Sequence, residues 1–395
     1  MNTATADWAA LATRLADELT ERGVLHDPTW RAALLAVPRH ELVPRHFTQD
    51  GPDAGWHEIT GIDPTTREDW LAAVYANTAL ITALSEDNNQ VDAASSSSQP
   101  SLMIRMLEAL EITDGNRMLE IGTGTGYNAA LLSHRLGARN VYSIDIDGQL
   151  VDQARERLAH LGYRPALACG DGADGWPDHA PYDRILATCS VPAVPWAWAQ
   201  QTAQGGRVLV DLKTGTNAGN LVLLHRHPDR LEGRFLPKWA GFMAIRHHQQ
   251  TPAAPSYPHR DAATARTRTT TVSPQPWDNL VVWFLAQFHQ PAELSFGLTL
   301  DETTHQPTAT FLAATDGSWC EIDHHSDNGH HQLREAGPSQ LWRSVENAYQ
   351  DWEQTGRPGW DRLGLTVTAH EQRVWLDTPN NTEHAWQLMP IARPH

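Results

Sequence analysis

The chain has 395 residues, 41% of them hydrophobic and 19% charged, with a formal net charge of -17, which describes a soluble globular protein of two or three domains. Because 47 acidic residues face only 30 Lys and Arg, no broad electropositive surface is available to a phosphate backbone, and nucleic acid is excluded as a main partner. No stretch approaches the roughly 18 apolar residues of a membrane helix, the first residues lack a basic start and an apolar signal core, and Cys169, Cys189 and Cys320 form an odd, scattered set suited to a reducing compartment, so the expected location is the cytoplasm.

Apolar positions at Trp8, Leu11, Leu15 and Leu19 repeat at helical spacing and stop at Gly23, which predicts an N-terminal helix over 7–22. A second helix is expected from Asp27-Pro28 to Pro38, whereas the prolines of VPRHELVPRHF argue against regular structure. Helical spacing returns over 68–84. The polar run SEDNNQVDAASSSSQP then reads as a linker whose last residues are held by the amphipathic helix in SLMIRMLEAL. From residue 117, RMLEIG, NVYSIDID, PALACGD, YDRILATCS and GRVLVDL read as strands, alternating with helices in YNAALLSHRLG, QLVDQARERLAHLG and PAVPWAWAQQT. That alternation predicts an α/β fold, a doubly wound and mainly parallel sheet with helices on both faces. LVLLHRH and the region of FMAIRH are candidates to close it.

Residues 246–276 carry five prolines and little apolar content, as a linker does. Beyond them the character changes: a helix in WDNLVVWFLAQF, strands in ELSFGLTLD, TATFLAAT and SWCEID, a helix in PSQLWRSVENAYQDWEQTG, and a strand pair around LGLTVTA and RVWLDT. The expected division is an N-terminal helical region and substrate loop over 1–100, a cofactor-binding domain over 101–245, the linker over 246–276 and a C-terminal α+β accessory domain over 277–395.

The chemistry concentrates at the first strand-to-helix turn, Glu120-Ile121-Gly122-Thr123-Gly124-Thr125-Gly126, followed by Asp145 at the end of the next strand. Glycines admit a ligand to the switch point of a doubly wound sheet, and an acid about twenty residues later can hold ribose hydroxyls. Tyr127 stands where a dinucleotide site needs its third glycine, and Glu120 would repel a pyrophosphate. The arrangement suits S-adenosylmethionine, with its zwitterionic end and positive sulfonium. Asp171, between Gly170 and Gly172 at the end of the third strand, is placed to accept from an adenine amino group. The fourth strand ends in ATCS, which is not the motif for methylating an exocyclic or amide nitrogen. Cys320, His324, His325, His330 and His331 are separated by the turn sequence Ser-Asp-Asn-Gly, so no metal site is expected there. The tryptophans at 342, 352, 360, 375 and 386 read as core.

The series VPRHELVP, SSSSQPSLMIRMLEAL, MLEIGTGTGYNAALLSHRLG, GDGADGWPDHAPYDRILAT and GGRVL, in this order over roughly residues 30–240, resembles the protein-L-isoaspartate O-methyltransferase family. The resemblance implies methylation of an aspartate or isoaspartate side-chain carboxylate of a peptide. It gives Ser98 the place of a serine beside the methyl donor that helps position the acceptor, with Gln99 and Pro100 shaping the loop and Gln99 next to the cofactor. A carboxylate is already ionised at neutral pH, so alignment of the reacting groups replaces a general base. The long stretch between Phe47 and Ser98 and the residues after the linker depart from the small repair enzymes. They resemble longer relatives that tailor ribosomally synthesised macrocyclic peptides towards aspartimide. General isoaspartate repair and a catalytically silent peptide-binding module remain as alternatives.

Overall fold

In a computed structural model, residues 4–49, 51, 54–87, 90–215, 218–247, 265–291 and 294–388 are described. The chain opens with α1 (Ala4–Glu21) and α2 (Pro28–Ala36). The sequence starts α2 at Asp27-Pro28, and the structure shows Asp27 capping it by accepting from the Thr29 amide, with Pro28 at its first position. The proline-flanked segment is more regular than expected: α3 (Arg39–Leu42) is one turn, and β1 (Arg45–Gln49) starts directly after Pro44. Next come β2 (Trp56–Thr60), α4 (Arg67–Val74), β3 (Leu80–Asp87), β4 (Gln90–Ser97) and α5 (Pro100–Ala109).

Here the sequence reading fails. The helix expected over 68–84 stops at Val74, and both its second half and the polar serine run become strands. Phe47 pairs with Ile81, Leu80 with Ser97 and Ile81 with Ser96, in a four-stranded sheet of order β2-β1-β3-β4. Leu80, Ile81 and Leu84 suit helix or strand about equally, and the neighbouring strands decide between them.

The α/β unit runs β5 (Met118–Ile121), α6 (Tyr127–Leu136), β6 (Val141–Asp145), α7 (Gly148–His160), β7 (Ala166–Cys169), β8 (Tyr182–Val191), α8 (Trp196–Gln201), β9 (Thr202–Lys213), β10 (Gly219–Arg226) and β11 (Leu231–Phe235). Every residue of β5 and β6 is buried, the signature of parallel strands covered on both faces. In the order β7-β6-β5-β8-β9 all pairings are parallel, and the order reverses at β5. From β9 onward the pairings are antiparallel. FMAIRH was expected to close the sheet, but it contributes a single bridge between Ala244 and Ser190.

The remaining elements are β12 (Arg266–Thr270), α9 (Leu280–Ala286), β13 (Leu294–Leu300), β14 (Pro307–Ala314), β15 (Trp319–Asp327), β16 (His330–Ala336), α10 (Leu341–Gln354), β17 (Leu363–Val367), β18 (Gln372–Leu376) and β19 (Ala385–Gln387). Residues 248–264 of the expected linker lie outside the described residues, and its end supplies β12, the edge of an antiparallel five-stranded sheet. β17, β18 and β19 extend the main sheet to ten strands, with Leu231 of β11 opposite Val367. A continuous core runs across that junction, where Phe284 packs 5.4 Å from Phe235 and 5.2 Å from Trp360 between ring centroids. The segment expected as a separate domain therefore shares both sheet and core with the cofactor-binding unit. Trp342, Trp360 and Trp375 are buried within it. No helix among the described residues is long and apolar enough to cross a membrane.

Candidate active site

The turn between β5 and α6 lies where the strand order reverses, the place where open α/β sheets bind ligands. Gly122 has φ +96°, and a Cβ there would stand 2.5 Å from Thr188 Oγ1, so only glycine fits. Gly126 (φ +85°) caps α6 in the left-handed region, facing Ala154 and Leu158 of α7. Its task is the close helix contact, because a cavity of about 390 Å³ is lined by Gly122, Thr123, Gly124 and Thr125 but not by Gly126. That volume is within the range of small-molecule sites.

Glu120 has no solvent exposure. Its Oε2 accepts from Ser143 Oγ and its Oε1 from Asn128 Nδ2, each at 2.6 Å. Burial pushes its carboxyl up to about 7, and the nearby Asp145 charge adds to the rise. Thr123 Oγ1 shares a hydrogen bond of 2.7 Å with the same Ser143 hydroxyl. Asp145 accepts from the Gly124 amide at 2.9 Å and the Asp147 amide at 3.1 Å, and lines the cavity. Glu120, Ser143, Asn128 and Thr123, from two strands, one helix and the turn, thus form a single hydrogen-bonded unit, with the Asp145–Gly124 bond beside it.

Other expected residues are placed differently. Gly172 lines the cavity, but Asp171 does not. The Asp171 Oδ1 accepts from the Ala173 amide and its Oδ2 pairs with His247 Nδ1 at 2.7 Å. Gln99 is away from the glycine turn, donating to Asn77 O at 2.9 Å. Ser98 lies at a junction, lining both the first cavity and a second one of about 600 Å³.

Three features of this junction escape the sequence reading. Thr188 in β8 lines both cavities and donates to Gly122 O at 2.8 Å; the unusual ATCS strand end was its only signal. Arg39, fully buried, donates through Nη1 to Val74 O (2.8 Å) and through Nη2 to Ser97 Oγ (3.1 Å) and Ser98 O (3.2 Å). It has no carboxylate partner among the described residues, and its guanidinium lies 5.3 Å from the centre of the Tyr127 ring. A buried cation thereby holds the serine strand against α6. The third feature is residues 238–247, which close the junction as a strap. The Phe242 amide donates to Asp211 Oδ2 (2.8 Å), the Ala240 amide to Asn220 Oδ1 (3.0 Å), and Met243 O accepts from the Ser190 amide (2.8 Å). Burial raises the Asp211 carboxyl to about 6.

The first cavity fits S-adenosylmethionine. Its turn carries acids and no cation that would neutralise a pyrophosphate, and Arg246 is the single cation among the described lining residues. Asn128 Oδ1, on the lining, is a buried acceptor without a partner, the kind of atom an ammonium group satisfies. In the C-terminal region His324 is bonded to Thr310 and His331 to Asp323 O, while Cys320 is buried, which raises its thiol. No group of three His, Cys, Asp or Glu among the described residues is arranged to hold a metal ion.

A family model described as protein-L-isoaspartate(D-aspartate) O-methyltransferase matches residues 59–235. Protein-L-isoaspartate O-methyltransferase 2 of Pelobacter propionicus is 34% identical over 213 residues, 54% of this chain and 79% of the relative. The protein-L-isoaspartate O-methyltransferase of Methylorubrum populi is 42% identical over 144 residues, 36% of this chain and 67% of the relative. A solved protein-L-isoaspartate O-methyltransferase superposes with a TM-score of 0.53 at 23% identity, covering 93% of this chain and 100% of that one. At that identity the likeness concerns the fold, and its span shows that a C-terminal region of this extent is not peculiar to this chain.

Proposed function

This chain belongs to the protein-L-isoaspartate O-methyltransferase family and is an S-adenosylmethionine-dependent carboxyl O-methyltransferase; on that premise we propose that it methylates an aspartate carboxylate in a ribosomally synthesised macrocyclic peptide, on the way to an aspartimide. The observation that carries this reading is the junction at Ser98 and Thr188, residues that line both a cavity suited to the methyl donor and a second, larger one. When bound, S-adenosylmethionine supplies an electrophilic methyl group and a neutral thioether leaving group. Gly122, Thr123 and Gly124 provide the backbone wall on which it rests, Asp145 holds the ribose, and Glu120 shapes the turn from beneath. Ser98 offers its hydroxyl to the acceptor carboxylate and orients it without quenching it. Arg39 acts through the Ser97 hydroxyl and the Ser98 carbonyl, fixing where the Ser98 hydroxyl sits.

The macrocyclic acceptor is favoured by the walls of the larger cavity. Arg22, Val24 and the strap residues Lys238 to Met243 lie outside the span matched by the family model, 59–235, and they join Ser98, Arg105 and Thr188 from within it to leave room for a bulky acceptor. An aspartyl methyl ester loses methanol when the following backbone amide nitrogen attacks its carbonyl, which closes the five-membered imide. General isoaspartate repair is the second reading, favoured by the curated relatives.

The test is mass spectrometry of two reactions with S-adenosylmethionine, one with a linear isoaspartyl peptide and one with a lactam-bridged macrocycle bearing one free aspartate. A gain of about 14 Da followed by a net loss of about 18 Da on the macrocycle alone is the expected result, as one methyl is added and methanol then leaves. Turnover of the linear peptide alone returns the protein to repair.

A further inference from the structure

The larger cavity runs against the charge balance of the chain. The protein has 47 acidic residues against 30 Lys and Arg, yet the described lining of this cavity contains no Asp or Glu, while Arg22, Arg105 and Lys238 all contribute to it. Arg22 is paired with Glu18 at 2.9 Å. Arg105 and Lys238 have no carboxylate partner among the described residues. Arg105 donates through Nη2 to Trp239 O at 3.2 Å, and its Nε is buried without a partner. Lys238 is one of two lysines in the sequence, and the other, Lys213, is occupied by Asp211 and Phe242 O. Beside them Trp239 is 51% exposed and Met243 40% exposed, so apolar contact surface adjoins the two free cations.

A partly desolvated guanidinium without a counter-ion is costly, and a carboxylate repays that cost with two parallel charge-assisted hydrogen bonds. The net charge of the protein repels acidic peptides at long range, and an acid-free cationic wall offsets that repulsion where such a peptide must dock. We propose that the larger cavity recognises a second carboxylate on the same peptide as the acceptor, with Arg105 and Lys238 as specificity-determining residues and Trp239 as the apolar platform beside them. The substrate is therefore an acidic peptide, methylated at one carboxylate and held by another. This rests on the junction at Ser98 being the site of carboxyl transfer.

The experiment uses the full chain saturated with S-adenosylhomocysteine and four fluorescein-labelled peptides: the linear isoaspartyl and the lactam-bridged scaffold, each flanked by two glutamates or by two glutamines. Binding is read by fluorescence anisotropy, and methyl incorporation is measured separately with S-adenosylmethionine. The expected result is about tenfold tighter binding of the glutamate member of at least one pair. That preference should shrink with added salt and collapse in both Lys238→Gln and Arg105→Gln. Because Lys238 is exposed, its substitution tests charge recognition without burdening the fold. Equal affinity within both pairs, no binding by any of the four, or a preference that survives in Lys238→Gln and Arg105→Gln would overturn the inference. A charge-dependent preference with no methylation of any peptide supports acidic-peptide docking while refuting carboxyl transfer, so the two failures are distinguishable.

Discussion

The two cavities that meet at Ser98 and Thr188 have opposite electrostatic character. The cofactor side places Glu120 and Asp145 against a glycine turn, where β5, the start of α6 and β6 are knit together by short hydrogen bonds, and the serine strand and the strap complete its lining. The acceptor side collects Arg22, Arg105 and Lys238 without a carboxylate, and its walls come from α1, α5, the serine strand and the strap. Acids line the side that suits a sulfonium, and cations line the side that suits a carboxylate. Between them, buried Arg39 holds the end of β4 and the shared serine that follows it. The comparison teaches that two cavities sharing a wall can differ in charge, and that Ser98 between them is positioned from behind, by Arg39.

The largest effect is expected from breaking that boundary. Arg39→Met strands the carbonyls of Val74 and Ser98 and the Ser97 hydroxyl, each worth about 1–3 kcal/mol when left unpaired and buried. Urea denaturation should show a loss of roughly 3 kcal/mol, partly offset by removal of a buried charge. Arg39→Lys should recover part of the stability but less of the turnover, because one ammonium cannot span the same acceptors.

On the cofactor side, the raised carboxyl of Glu120 predicts a pH dependence. The folded apoprotein holds a proton up to about 7, whereas the unfolded chain releases it near 4.5. The stability from this group is therefore complete below about 4.5 and is lost as pH rises through about 7, an effect on the order of 3 kcal/mol. Urea midpoints of the apoprotein at pH 5.5 and 8 should differ more in the wild type than in Glu120→Gln. A smaller loss belongs to the ribose contact: Asp145→Ala should weaken S-adenosylhomocysteine by about 1.5–3 kcal/mol in calorimetry. Equal affinity would remove Asp145 from the cofactor wall.

Ser98→Ala is the mildest and sharpens the comparison most. It should lower kcat by about tenfold, or about 1.4 kcal/mol, while S-adenosylhomocysteine affinity stays within about twofold. An unchanged kcat would take Ser98 out of the mechanism.

The cofactor half was legible from residues because its rules are local. Gly122 is demanded by its own φ and by Thr188 beside it, and β5 and β6 announce themselves as short apolar runs. The acceptor half was misread for an equally physical reason. Residues 80–84 suit helix or strand about equally, and only pairing with β1 and β4 makes them β3. The last strands were read as a separate domain because nothing in their sequence says that β11 offers an open edge at Leu231–Arg234.

The sequence by itself determined the glycine turn, the acids at Glu120 and Asp145, the alternation that builds the parallel strands and the start of α2, since steric limits and periodic burial act over a few neighbouring residues. Only the tertiary structure decided that Arg39 stands behind Ser98, that Thr188 joins two cavities, and that Arg105 and Lys238 share a wall free of acids. A cavity's charge is a sum over residues 133 positions apart in the chain, as these two are, and such a sum exists only once the fold has brought them together.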